Sequence, residues 1–288
     1  MSALSNIGIV AQFDLYESLR SRRALTLILL YGIISIGASA LFCIGVNGFY
    51  ENLDRSGPGA AAVLDSPDLP KQFGQWFDIE VEVARELLRI PALALFYLMF
   101  ATYALPLVVL MTSAEAIVRE LSSGSSRFIL FRTQRLSWVL GKLTGQGVLM
   151  MIGILFGAGA AFTAGWLVLD RFEPALTFWW LMRMSLRAGV IGFAYLGLAL
   201  AVSQVVNTPA SARGLALASA FGIWLAEVML SRSDNGALEA LSHIFPSAHD
   251  LTLFHPSLAV RAGGMLALVG FGAVTFGLGY LRFARRDT

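Results

Sequence analysis

Residues 143–169 read Leu143-Thr-Gly-Gln-Gly-Val-Leu-Met-Met-Ile-Gly-Ile-Leu-Phe-Gly-Ala-Gly-Ala-Ala-Phe-Thr-Ala-Gly-Trp-Leu-Val-Leu169, with Lys142 before, Asp170 after and no charge between. A helix needs roughly 20 apolar residues to cross the hydrocarbon of a bilayer, and this stretch is longer. The same pattern recurs along the chain. Residues 24–50, 90–114, 188–212 and 262–281 carry no charge, and 214–231 carry one, Glu227. These gaps predict transmembrane helices near 24–46, 90–112, 143–167, 188–208, 214–231 and 262–281. The fifth is the weakest, being short and interrupted.

Composition agrees. Hydrophobic residues make up 57% of the 288-residue chain and charged residues 14%, against about 25% charged in a soluble domain. Too little polar surface remains to coat a water-soluble globule. The expected fold is an all-α integral membrane protein, a six-transmembrane-helix bundle forming a single domain. The formal net charge of +2 is too small to argue for nucleic acid. With one cysteine, Cys43, no intramolecular disulfide can form.

Charge placement orients the bundle. With the N-terminus in the cytoplasm, Arg20, Arg22, Arg23, Arg119, Arg127, Arg132, Arg135, Lys142, Arg213, Arg282, Arg285 and Arg286 fall inside, as the Lys/Arg bias of cytoplasmic segments requires. Most Asp and Glu residues fall outside. Both termini are therefore expected in the cytoplasm. Residues 7–20 precede the first span, and Ile9, Phe13 and Tyr16 recur at helical spacing with Asp14, Glu17 and Arg20 elsewhere on the wheel. That pattern predicts an amphipathic helix in the membrane interface. The first outer loop, 47–89, begins irregularly around Gly57, Pro58, Gly59, Pro67 and Pro70. Its second half alternates like a strand at Ile79, Val81 and Val83, yet Phe73, Phe77, Ala84 and Leu88 fit a helix running toward the second span, and the helix is preferred. Trp179 and Trp180 are expected at the outer mouth of the fourth span, with Arg183 and Arg187 before it snorkelling outward. Small residues line the spans, notably Gly153, Gly157 and Ala161, then Gly197 and Ala201, then the glycines of the sixth span. Such residues let helix backbones approach closely in lipid, either within one bundle or across a dimer face.

Little points to chemistry. The zinc-protease helix motif, a nucleophile elbow and paired intramembrane aspartates are all missing. Gly141-Lys142 is not a phosphate-binding loop, because Leu136 and Leu143 stand where that motif needs Gly and Ser or Thr. His243, His249 and His255 in the last outer loop, 232–261, are spaced by six, which does not stack them on one helix face. Glu227, inside a span, is a functional hypothesis by default, but it lies about one turn from Arg232 and can pair locally. No catalytic residue, metal ligand or bound cofactor is expected.

The segment 113–142 is the most informative. Glu115, Arg119, Glu120, Arg127, Arg132, Arg135 and Lys142 make it too charged to embed, while Phe128-Ile-Leu-Phe131 makes it too apolar for a disordered tail. A helix should end where Ser122-Ser123-Gly124 breaks it. The chain then forms a cytoplasmic elbow with exposed apolar groups and a basic rim, suited to docking. The order Glu120, Gly124, an apolar run, Arg135 and Gly141-Lys142 resembles the elbow of permease subunits of ABC-2 type transporters. Ser125 stands where that family usually has Thr, and the proline usual before the arginine is replaced by Arg132-Thr133.

The resemblance implies a bacterial plasma (inner) membrane permease, exporting by preference, working as a homodimer or paired with a similar permease. ATP and Mg would sit on a separate soluble ATP-binding cassette subunit, docked through Glu120, Gly124, Arg127, Phe128, Arg135 and Lys142, with Glu120 and Arg127 on the rim of the contact. The readings from other classes are a secondary transporter or channel without an ATPase, and a non-transporting scaffold.

Overall fold

The computed structural model describes residues 3–20, 22–56, 66, 68–77, 79–232, 236 and 241–285. Among them every regular element is helical. α1 is Ala3–Arg20, α2 Arg22–Arg55, α3 Leu69–Phe77, α4 Val81–Leu88, α5 Ala92–Ser113, α6 Val118–Ser123, α7 Ser125–Leu130, α8 Arg135–Val168, α9 Pro174–Val205, α10 Pro209–Ser231 and α11 Leu258–Ala284. Two short 3₁₀ turns, Pro246–His249 and Thr252–Phe254, lie between α10 and α11. α2, α5, α8, α9, α10 and α11 are long and apolar enough to span a membrane. Six antiparallel spans put α1, the α5–α8 elbow, the α9–α10 turn and the end of α11 at one end of the bundle, the elbow end. The other connections form the loop end.

α9 is the central strut. It packs against α5, α8, α10 and α11, while α2 lies over α5 and α8 and α1 crosses α8. Small residues set this arrangement. Gly197 faces the backbone of Gly272, and a Cβ on Gly279 would come within 2.6 Å of Ala201 Cα, so α9 and α11 touch backbone to backbone. Gly157 receives Tyr31 of α2, and Ser35 Oγ donates to the Gly157 carbonyl at 2.9 Å. Gly157, Gly197, Gly272 and Gly279 therefore serve packing within the chain, whereas Gly263, Gly270 and Gly277 of α11 face open space. Tyr97 closes the α5–α8 contact by donating to the Ile154 carbonyl at 2.6 Å. Cys43 is buried in α2.

Several boundaries differ from expectation. α9 begins at Pro174, well before residue 188, so Trp179, Trp180, Arg183 and Arg187 lie inside the helix rather than ahead of it. The two arginines are accommodated by aromatic faces: Arg183 lies 5.2 Å from the Trp180 ring and Arg187 4.7 Å from Phe254. Charge gaps mark the hydrophobic stretch; the helix itself continues past it, here with its cations held on aromatic faces. α2 likewise runs through Arg55, and α11 starts at Leu258 rather than 262. In the first loop, 79–88 is helical from Val81, with Val83, Ala84 and Leu87 buried. α4 breaks at Arg89–Ile90 before Pro91 starts α5. Pro70 is inside α3, whereas Gly57, Pro58, Gly59 and Pro67 lie outside the described residues.

Candidate functional site

The elbow is built on a glycine. α6 ends at Gly124, whose φ of +75° lies in the left-handed region that side chains disfavour. Its N–H donates to the Leu121 carbonyl at 3.2 Å, and the chain turns directly into α7. Ser123 and Ser125 close the turn with a 2.8 Å hydroxyl contact. Where α5 leads into α6, the N–H groups of Ile117 and Val118 both donate to Ser203 Oγ of α9, at 3.1 and 3.0 Å. The elbow is thus tied to the central strut.

Beneath it lies a buried ionic knot. Lys142 Nζ donates to Asp14 Oδ1 at 2.6 Å and to Glu120 Oε1; all three residues are buried. Gln146 Nε2, one turn along α8, donates to Asp14 Oδ2 at 2.7 Å and to Ser18 Oγ at 3.2 Å. Its carbonyl accepts from Ser113 Oγ at 3.0 Å. One lysine and one amide therefore join α1, α5, α6 and α8. Glycines make this possible. A Cβ on Gly141 would fall 2.5 Å from Val10 Cβ, and one on Gly145 would fall 2.8 Å from Asp14 Oδ2. Gly141 and Gly145 thus open α8 to the backbone of α1, and Lys142 and Gln146 beside them grip its carboxylate.

A second cluster stands beside the first. Glu115 accepts from Arg213 Nε of α10 at 2.6 Å and from Arg119 at 2.8 Å. Arg135 reaches the opposite flank, where it donates to the Ala284 carbonyl at 2.9 Å and lies 5.9 Å from the Phe283 ring.

The six residues singled out from sequence thus divide. Glu120 does not sit on an outer rim: it is paired inside with Lys142, holding the elbow down. Gly124 shapes the turn, and Arg135 anchors the start of α8 to the end of α11. Arg127 and Phe128 do face outward, joined by Phe131 and Arg132. Phe128 and Phe131 are 77% and 87% exposed, whereas Ile129 and Leu130 between them pack on the core. Sequence reasoning missed Asp14, Ser113, Gln146 and Ser203. The repeat of small residues at 141 and 145 was the available signal. On α1, Ile9, Phe13 and Tyr16 are exposed, while Asp14 is buried and Val10, Leu15 and Leu19 pack inward.

The sequence profile of the ABC-2 family transporter proteins matches residues 9–288, from α1 through the last span. The chain belongs to the ABC-2 transporter family. Relatives include the "Probable ABC transporter permease protein NosY" of Stutzerimonas stutzeri, 27% identical over 228 residues that cover 79% of this chain and 68% of that protein. The protein of the same name from Pseudomonas aeruginosa is 25% identical over 272 residues, covering 93% of this chain and 83% of that protein. Within this ABC-2 transporter protein, the Gly-Lys pair read from sequence gains a physical role: the glycine admits α1 and the lysine binds it.

At the loop end, Glu227 meets Ser247. Asp250 lies nearby, its Oδ1 without a hydrogen-bond partner among the described residues. Burial, and secondarily the Glu227 carboxylate, push the Asp250 pKa up to about 7. His249 contacts the His243 carbonyl at 2.7 Å and His255 faces Glu80 at 3.5 Å.

Proposed function

We propose that this chain is the membrane-spanning permease subunit of an ATP-driven exporter, and that a separate soluble ATP-binding cassette subunit docks on its elbow. One observation carries the reading: two aromatic side chains, Phe128 and Phe131, stand in water between Arg127 and Arg132 on a turn that buried ions hold rigid. Burying each ring would gain about 1.5–3 kcal/mol. A docked groove supplies that burial, and the arginines orient the encounter. The knot then carries displacement of the elbow into α1, α5 and α8. ATP and Mg belong to the partner, and this chain has no ATPase activity of its own. The printed names of the two relatives, both permeases, point the same way.

The elbow end faces the cytoplasm of a bacterium, placing both termini inside the plasma membrane, with α1 lying in the interface and Ile9, Phe13 and Tyr16 toward lipid. A second copy, or a similar permease, completes the pathway. α10 supports this, since only Ala212 and Ala216 of the helix are buried.

The test is co-purification with the cognate ATP-binding subunit. Phe128→Asp should release that subunit while the bundle still inserts. Retention of wild-type co-purification and substrate-stimulated ATP hydrolysis by Phe128→Asp would remove the elbow from the contact. Single cysteines at Ser66, Ser125 and Ser247 in a Cys43→Ser background test orientation. An impermeant thiol reagent should label positions 66 and 247 from outside and spare 125.

A further inference from the structure

α2 and α5 meet along their middle and loop-end halves, where Tyr31 stacks on Phe100 at 5.6 Å and Phe42 on Phe96 at 4.3 Å. Toward the elbow end they part. Thr26 and Leu27 of α2 and Met111 and Thr112 of α5 border a cavity of about 420 Å³ with Leu149 of α8 in its apolar floor. That volume suits a small-molecule group. The cavity's two charged walls differ in sign. On one, Glu115 is shared by two guanidiniums, Arg119 and Arg213, which leaves a positive charge in excess. On the other, Lys142 is shared by two carboxylates, Asp14 and Glu120, which leaves a negative charge in excess; Glu17 and Arg22, also in the lining, add one charge of each sign. Glu120 is buried, and its Oε2 has no hydrogen-bond donor among the described residues.

We infer that this cavity binds the headgroup of a zwitterionic lipid that carries a primary ammonium, as in phosphatidylethanolamine. The phosphate lies toward Arg119 and Arg213 and the ammonium toward Glu17 and Glu120, while the glycerol and first methylenes cover Leu27, Met111 and Leu149. The cavity sits at the ends of the spans, at the depth where headgroups lie. A cationic nitrogen can donate a charge-assisted hydrogen bond to a carboxylate only if it carries an N–H. A choline headgroup has none, and a glycerol headgroup offers no cation to the acidic wall. The site is independent of the ATPase docking surface, so failure of either proposal leaves the other intact.

The experiment uses the full-length chain in nanodiscs of equimolar phosphatidylethanolamine, phosphatidylcholine and phosphatidylglycerol, with the lipids that stay bound counted by native mass spectrometry. Phosphatidylethanolamine should be retained in preference to both others. Arg119→Gln should lower its retention roughly fivefold, the loss of one charge-assisted contact of ~1 kcal/mol, and Arg119→Lys should restore most of it. Glu17→Gln should shift retention toward phosphatidylglycerol. Equal retention of the three lipids, preference for phosphatidylglycerol by the unmodified chain, or indifference to both Arg119→Gln and Glu17→Gln would each overturn the assignment.

Discussion

The two ends of the bundle are fastened by different means. At the elbow end the fastenings are buried ions: Lys142 with Asp14 and Glu120, and Glu115 with its two arginines. At the loop end the ion pairs lie in solvent, as in Arg171–Asp54 at 3.1 Å and Arg89–Glu86 at 2.8 Å. The carboxyl group of Asp250 there has an oxygen, Oδ1, without a hydrogen-bond partner among the described residues. Exposed pairs contribute little because water and salt screen them. Buried pairs contribute geometry, because losing one partner strands the other charge away from water. The contrast teaches where this chain needs a fixed shape: under the elbow, where motion would be passed between helices.

The largest effect should come from breaking the knot. Lys142→Met leaves Asp14 and Glu120 buried without their cation, and should cost about 3–5 kcal/mol. Thermal unfolding in detergent, or loss of folded yield, measures it. A stability close to wild type would mean that water reaches the knot. Gly141→Leu comes next. Its side chain would meet Val10 and lift α1 off α8, an overpacking worth about 1–3 kcal/mol, visible as early proteolysis of α1 with the six spans intact.

Asp250 sharpens the comparison from the other end. Burial raises its pKa to about 7 from the ordinary 3.8, so the folded loop favours the protonated acid. That contribution is full below the unfolded value and is lost as pH rises through about 7. The segment 246–254 should therefore exchange amide hydrogens faster at pH 8 than at pH 5.5, after correction for intrinsic rates, and Asp250→Asn should abolish the difference. Smallest of all, Arg171→Ala should change the unfolding midpoint by the equivalent of less than about 1 kcal/mol, with any change fading in high salt.

Much of the architecture was legible in the chain. Stretches such as 143–169 have to cross a bilayer whatever their neighbours do, because unbroken apolar length is a local property. The break at Gly124 was equally local, since Ser122-Ser123-Gly124 ends a helix by its own backbone preferences. The elbow was found for the same reason: charge and apolarity collide within a few residues of Phe128. The start of α9 was not legible. Arg183 and Arg187 look like a boundary until Trp180 and Phe254 stand beside them. Glu120, expected on the rim of the elbow, is instead buried against Lys142.

Sequence by itself thus determined six spans, their order and the break that makes the elbow. Tertiary structure alone decided which charges are hidden. Asp14 lies 128 positions from Lys142, and on the helical wheel of α1 it reads as one more polar residue facing water. Only the approach of α1 across Gly141 and Gly145 turns it inward. A carboxylate gains from burial only when a cation and a donor arrive with it, and whether they arrive is a property of how helices pack, not of the segment that carries the charge.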